Sequence, residues 1–281
     1  MSRIFPVPTL DHVVINVRDR IDDGADTWRR LGFTLTPRGY HTLGSMNHLA
    51  MFGTDYLELI AARPGDTGRP EILGSPAGLN GLVFGTDDSA AVFRALEAGG
   101  VPVLPPQEFS RPVELADGPH DATFRTVRLP LGTVPDGRLY FCHHLTRDLV
   151  WRDEWRHHAN GAVGVARAVI ASANPARWSD LFGSMFGPAA VRAIPGGCTL
   201  AVGLSRFDVV TPAVLAEWFG DAAPSGQGRT DFMAGLTFRT RSLEEADTAL
   251  RHGKVAGVVR QEARIVVPAD AAFGAVVEFV P

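Results

Sequence analysis

The 281-residue chain contains only two cysteines, Cys142 and Cys198. That is too few for a disulfide framework or a four-cysteine zinc site. It also lacks excess positive charge: 27 Lys and Arg against 31 Asp and Glu leave a net charge of −4, which offers no footprint for nucleic acid. No apolar run approaches the ~18 residues of a membrane span. Pro6, Pro8 and Asp11 interrupt any signal-peptide core near the N-terminus. There is no phosphate loop ending in GK[ST], and no G-x-G-x-x-G follows a strand. Gly183-Ser184-Met185-Phe186-Gly187 has the wrong spacing for a nucleophile elbow. What remains, with 45% apolar and 21% charged residues, is an ordinary globular composition. The expectation is a soluble cytoplasmic protein that handles a small molecule, with no nucleic-acid or membrane partner and with homodimer formation left open.

The chain repeats itself. When GLVFGTDDSAAVFRALEAGGV, from Gly81, is laid on GLTFRTRSLEEADTALRHGKV, from Gly235, identities fall at Gly81, Leu82, Phe84, Thr86, Leu96, Gly99 and Val101. Both segments read as a strand, a polar break and an amphipathic helix ending at glycine. Gly99 and Gly253 suit the left-handed position after a helix. HVVINVRDRIDDGADTWRRLGF, from His12, relates more weakly to RAVIASANPARWSDLFGSMFG, from Arg167. Short extended runs follow each helix, with tight turns at Phe52-Gly53-Thr54-Asp55 and Pro135-Asp136-Gly137. The common unit is therefore strand, helix, then about three strands, and it occurs four times as a duplicated pair. Helices are predicted near 20–31, 89–98, 175–186 and 242–252. Residues 146–160 break the pattern and read as a connector, with Trp151 and Trp155 on a short helix. The division is 1–147, 148–160 and 161–281.

Four such units in two pairs resemble the vicinal oxygen chelate superfamily. LDHVVINVRDRIDDGADTWRRLGF resembles the start of a glyoxalase-like domain, as does YLELIA further on, and YFCHHLTRDLVWRDEWRHHANGA is similar to a stretch in proteins carrying that domain. The resemblance implies an α+β fold of four βαβββ modules paired into two half-open mixed-sheet barrels. In the superfamily's enzymes it further implies a divalent metal (Zn, Ni, Mn or Fe), held by His and Glu from up to four positions per pair on the first and last strands of each unit. Such an ion binds two neighbouring substrate oxygens and acts as a Lewis acid. Fold alone does not fix the reaction.

Carried onto this sequence, the four positions of the first half are His12, Glu58, Gly81 and Phe141. Only His12 and Glu58 can ligate or act as acid and base, so the pattern departs from the family's, and a site with no ion is the alternative. Further ligands are sought at His143, which shares Phe141's face on a regular strand, and at His144, which lies in the related stretch. If the hairpin turn is Gly53-Thr54, Asn47 and Leu49 lie on Glu58's face; a three-residue turn puts His48 there. In the second half the positions are Arg167, Asp208, Gly235 and Glu278. A guanidinium cannot ligate a metal, so an ion pair of Arg167 with Asp208 or Glu278 is expected in a structural half. His157 and His158 are read as surface connector residues, and Cys142 as a small buried hydrophobe. The leading function is a metal-assisted glyoxalase-like enzyme, of lyase or isomerase type, acting on a small oxygen-rich molecule. The alternative is a protein that sequesters a small molecule. A ring-cleaving dioxygenase is disfavoured by the metal-poor second half.

Overall fold

The computed structural model describes residues 5–63, 65, 68–115 and 117–281. The first unit runs β1 (Leu10–Arg18), α1 (Ile21–Arg30), β2 (Gly39–Tyr40), β3 (Ser45–Met51) and β4 (Tyr56–Ala62). A short helix, α2 (Pro70–Gly74), leads to β5 (Gly78–Gly85), α3 (Ser89–Ala98), β6 (Gln107–Leu115), β7 (Gly118–Arg128) and β8 (Arg138–His144). The third unit is β9 (Ala162–Ser172), α4 (Pro175–Phe186), β10 (Val191–Ile194), β11 (Gly197–Val202) and β12 (Ser205–Val210). After α5 (Pro212–Phe219) come β13 (Asp231–Thr240), α6 (Leu243–His252), β14 (Val259–Arg260), β15 (Ile265–Val267) and β16 (Val276–Val280). The four anticipated helices are α1, α3, α4 and α6; α2 and α5 were not anticipated. The connector holds two separate 3-10 turns, Arg147–Leu149 and Asp153–Trp155, instead of one helix.

The strands form two eight-stranded mixed sheets, β2-β3-β4-β1-β5-β8-β7-β6 and β10-β11-β12-β9-β13-β16-β15-β14. The order is the same in both, as a duplicated pair requires. The first sheet curls far enough for its edges to meet: the Thr42 N–H donates to the Ser110 carbonyl at 3.0 Å, and the Ser110 N–H to Thr42 Oγ1 at 3.3 Å. That barrel is nearly closed.

One core runs through both halves on the helix side of the sheets. Trp28, Phe84, Phe141, Phe182, Phe207, Phe238 and Phe279 meet there, all fully buried. Smaller clusters sit on the opposite faces. In the first half, Val14, Tyr56, Val83, Phe124 and Trp151 line the inside of the barrel. In the second, α5 lays Leu215 and Phe219 against Val169, Phe232 and Val276, leaving a more open pocket beside Arg167 and Glu278. Helix starts are fixed locally: Asp88 accepts from the Ala91 N–H at 2.9 Å, and Ser242 Oγ from the Glu244 N–H at 3.1 Å.

Two glycine expectations need correction. Gly99 and Gly253 are right-handed, with φ of −87° and −70°; the left-handed residues are the next ones, Gly100 and Lys254. Gly253 is glycine for another reason. A Cβ there would collide with the Arg30 carbonyl oxygen of α1. The Arg30 guanidinium then clasps the Gly253 and Lys254 carbonyls at 2.8 and 3.0 Å, joining the two halves.

Candidate active site

A cavity of about 360 Å³ occupies the barrel of the first half. Strand alternation explains its lining. β8 turns Arg138, Tyr140 and Cys142 inward, β7 turns Phe124, Thr126 and Arg128, and β6 turns Gln107, Phe109 and Arg111. His12 comes from β1, Asn47 and Leu49 from β3, and Tyr56 and Glu58 from β4.

His12 and Glu58 come together: His12 Nε2 lies 3.7 Å from Glu58 Oε2, and both side chains are buried. Each is held from behind. His12 Nδ1 is 2.5 Å from Asp11 Oδ2, and its ring stacks on Tyr56 with centroids 4.4 Å apart. Burial opposes ionising Asp11, but His144 and His12 outweigh it and keep the carboxyl well below the ordinary value. An ionised Asp11 accepts a hydrogen bond from the Nδ1–H of His12, so Nε2 carries the lone pair and accepts from the Tyr140 hydroxyl at 3.0 Å. Burial pushes the Tyr140 phenol far up, so it is a neutral donor. Asn47 donates to Glu58 Oε1 at 2.7 Å. Burial works against the Glu58 charge as well. The imidazoles of His41 and His12 and the Asn47 hydrogen bond prevail, and its pKa lies below the usual carboxyl range. Glu58 Oε2 has no hydrogen-bond donor among the described residues and faces the cavity.

His41, which the sequence reading passed over, completes this wall. Its Nε2 accepts from Asn47 at 3.3 Å and its Nδ1 donates to Ser45 Oγ at 2.9 Å. Burial brings it down to about 4, so it is neutral near pH 7. The turn between β3 and β4 pairs Leu49 with Glu58, the register of a two-residue turn. His48 therefore points away and bonds the Thr36 carbonyl at 2.7 Å.

Two of the four sequence-derived positions are displaced. His12 pairs with Val83, and Val83 with Tyr140. In the second half Arg167 pairs with Thr237, and Thr237 with Glu278. The equivalent sets are thus His12, Glu58, Val83, Tyr140 and Arg167, Asp208, Thr237, Glu278. Gly81 lies two residues early on the right face. Phe141 points into the helix-side core against Phe84 and Phe186. His143 follows Phe141 onto that face, so it does not reach the cavity. His144 shares the face of Tyr140 and Cys142 but lies beyond the cavity, where its Nε2 bonds Asp11 Oδ2 at 3.1 Å. Asp11, Cys142 and His144 are a possible three-donor metal group, with ligand atoms within 4.8 Å of one another. Burial holds the Cys142 thiol well above its ordinary value. Asp11 is already shared by two imidazoles.

In the second half, Arg167 Nη2 meets Glu278 Oε2 at 2.7 Å and Arg167 Nη1 lies 3.8 Å from Asp208 Oδ2. Thr237 donates to Glu278 at 2.6 Å, and Arg264 and Arg206 add bonds of 2.9 and 3.0 Å to the two carboxylates. His158 is also not a surface residue: its ring is buried, with Nδ1 accepting from the Thr34 N–H at 3.0 Å and Nε2 donating to the Met51 carbonyl at 2.9 Å. Trp151 closes the inner end of the first barrel against Tyr56 and His144.

A glyoxalase-like domain model matches residues 10–186, more than half the chain. The chain belongs to the glyoxalase-like family. Its fold is that of the vicinal oxygen chelate superfamily. The chain is similar to a hypothetical protein from Staphylococcus aureus, with 12% identity, TM-score 0.69, and coverage of 98% of this chain and 100% of that one. It is also similar to a mutant of 4-hydroxymandelate synthase from Streptomyces coelicolor, with 12% identity, TM-score 0.60, and 98% and 92% coverage. A fusion of a xylose isomerase-like TIM barrel with 4-hydroxyphenylpyruvate dioxygenase matches at 14% identity and TM-score 0.63, over 98% of this chain and 49% of the fusion. At these identities the likeness is one of fold. A search of curated proteins finds no match. Among the described residues, no helix is long and apolar enough to cross a membrane.

Enzymes of the superfamily typically hold a divalent metal at the four positions. Here the donors fall short. Val83 offers none, Tyr140 is a neutral phenol, and two protein ligands are fewer than the usual three of a catalytic site. The guanidiniums of Arg111, Arg128 and Arg138 border the same cavity, and each repels a cation. The set does not fit a resident divalent ion.

Proposed function

We propose that the cavity is the active site of an isomerase or lyase that moves protons on a small oxygen-rich molecule, with Glu58 and His12 as the working pair. The observation that carries this is the 3.7 Å approach of Glu58 Oε2 and His12 Nε2, each side chain anchored from behind. A carboxylate so placed takes a proton from carbon next to a carbonyl. The imidazole, oriented by Asp11, accepts the hydroxyl proton and delivers it to the carbonyl oxygen, and the Glu58 carboxyl returns its proton to the former carbonyl carbon, so that hydroxyl and carbonyl exchange places. A substrate hydroxyl takes the place at His12 Nε2 that Tyr140 fills in the free protein. No external oxidant or reductant is needed. The steps are derived without a metal because the donor set does not fit one. The test is solvent exchange: small α-hydroxy carbonyl compounds are incubated with the protein in deuterated water and followed by NMR. Loss of a carbon-bound proton signal with the wild type, but not with Glu58→Gln, is expected; equal exchange by both variants sinks the assignment.

A second reading has one observation in its favour. Val83 and Tyr140 stand where the superfamily's enzymes carry ligands, as in a cavity that only binds. Saturable binding of a small molecule with no turnover by the wild type favours that reading. The second half has a pocket beside Arg167, Thr237 and Glu278, but these residues are bound to one another.

A further inference from the structure

The cavity of the first half is charged in a way the proton-transfer chemistry does not use. Four arginines line it, Arg69, Arg111, Arg128 and Arg138, against two carboxylates, Glu58 and Glu71. Arg69 and Glu71 are paired with each other. Three guanidiniums are left in the lining with Glu58, in a chain whose net charge is −4.

Arg111 is the informative one. It is 6% exposed, yet among the described residues it has no hydrogen bond and no ion pair, and its Nε is a buried atom without a partner. Buried arginines are normally paired, because an unpaired buried charge is costly. Arg111 is also not a rim residue that drifted inward: it follows Gln107 and Phe109 on the inward-facing register of β6. Arg138 repeats the pattern. Its Nε donates to Asn80 Oδ1 at 3.1 Å, which fixes the plane of the guanidinium, and its Nη2 is buried without a partner. Arg128 Nε is a third unused buried donor. These unused donors belong to the lining of one cavity, which they share with Glu58 and with the stacked rings of Phe109 and Phe124, whose centroids are 5.2 Å apart.

We infer that the substrate carries an oxyanion, a carboxylate or a phosphate, on a compact apolar body, and that Arg111 and Arg138 bind it. Guanidinium forks match such groups in two parallel hydrogen bonds. The oxyanion supplies the partner that Arg111 lacks, and it holds the reacting carbon over Glu58. This deepens the proton-transfer reading of the same site by naming its substrate class.

Three probes of matched size separate the cases: benzoate, phenyl phosphate and the neutral benzamide, titrated calorimetrically at low salt. Binding of benzoate or phenyl phosphate at least tenfold tighter than benzamide is expected, and the preferred anion tells carboxylate from phosphate. Arg111→Gln should weaken that binding at least tenfold, while its thermal midpoint without ligand stays equal to or above the wild type, because a buried unpaired charge has been removed. Arg138→Gln provides the same binding readout if Arg111→Gln fails to fold. Benzamide binding as tightly as benzoate, anion binding unchanged in the arginine variant, or no binding of any probe at millimolar concentration overturns the inference. Glu58→Gln should bind the anion at least as tightly as wild type, since the opposing carboxylate is gone. If it does while no substrate ever exchanges a proton, the proton-transfer reading fails and the oxyanion site stands.

Discussion

His158 ties the connector to the first half and should make stability depend on pH in a defined direction. Its Nδ1 accepts from the Thr34 N–H, and its Nε2–H donates to the Met51 carbonyl. Protonating Nδ1 would set two N–H groups against each other, so the fold requires the neutral ring. Burial, the largest cause, pulls its pKa from 6.5 down to about 4. A folded pKa below the unfolded one means that the unfolded chain binds the proton first as the pH falls. The contribution is therefore complete above about 6.5 and lost as the pH drops toward about 4. At about 1.4 kcal/mol per pKa unit, the full loss is roughly 3 kcal/mol. His41, also brought to about 4 by burial, adds a slope of the same sign. Asp55, raised to about 6 by burial, works the other way as it protonates in the folded state. A comparison of variants isolates His158 from both. Glutamine can accept from Thr34 and donate to Met51 without titrating, so His158→Gln should keep most of the stability near pH 7. It should show a shallower loss on acidification, measured by urea unfolding at about pH 7 and about pH 4.5. Identical pH slopes for His158→Gln and wild type would refute the reasoning.

The other predictions concern the junction, the second half and the working pair. Gly253→Ala should destabilise the protein by more than about 2 kcal/mol, because the neighbour a Cβ would strike is backbone and cannot move aside; thermal unfolding checks this. Arg167→Met should cost about 2–4 kcal/mol, read by urea titration, because it strips the closest cation from Glu278 and leaves only Arg264 beside it. Metal analysis of freshly purified protein should find less than one equivalent of any divalent ion, and prolonged chelation should leave proton exchange intact. Asp11→Asn should lower the exchange rate without abolishing anion binding, since it disturbs the proton assignment of His12 while leaving Arg111 and Arg138 in place.

The fold was legible because duplication writes the same pattern twice: the four repeat helices fall within a residue or two of their expected spans. The site was half legible. His12 and Glu58 stand on regular strands whose neighbours are apolar. The fourth position was missed by one residue because the match was made on turn glycines, Gly137 against Gly274. Strand pairing instead equates Tyr140 with Glu278, through Val83 and Thr237, and a one-residue slip turns a side chain to the other face. Asp11 was invisible for a related reason. Adjacent strand residues point to opposite faces, but the register shifts between Leu10 and His12, and that irregularity lets Asp11 reach behind its own neighbour. Arg111 was missed because Pro112 argues against a strand. β6 is an edge strand with Pro112 on its exposed side, where no ladder bond is lost. Reading inward from Phe109 along that strand would have found Arg111.

The two halves show what decides whether this sheet order makes a site. Both carry the same four positions around the same strand pairs. In the second half α5 presses Trp218 and Phe219 over Arg167, with the guanidinium carbon 4.9 and 5.7 Å from the ring centres, and every charge has found a partner within the protein. Nothing there calls for a ligand. In the first half the linker before β5 carries the five-residue α2, the barrel stays hollow, and among the described residues its charges are not matched: Glu58 keeps an oxygen without a hydrogen-bond donor, and Arg111 has no hydrogen bond or ion pair. A fold that satisfies its buried charges in one copy and leaves them unsatisfied in the other has put the cost of desolvation where a ligand can offset it. That asymmetry, more than family membership, is what supports the proposed site in residues contributed by β1, β4, β6 and β8.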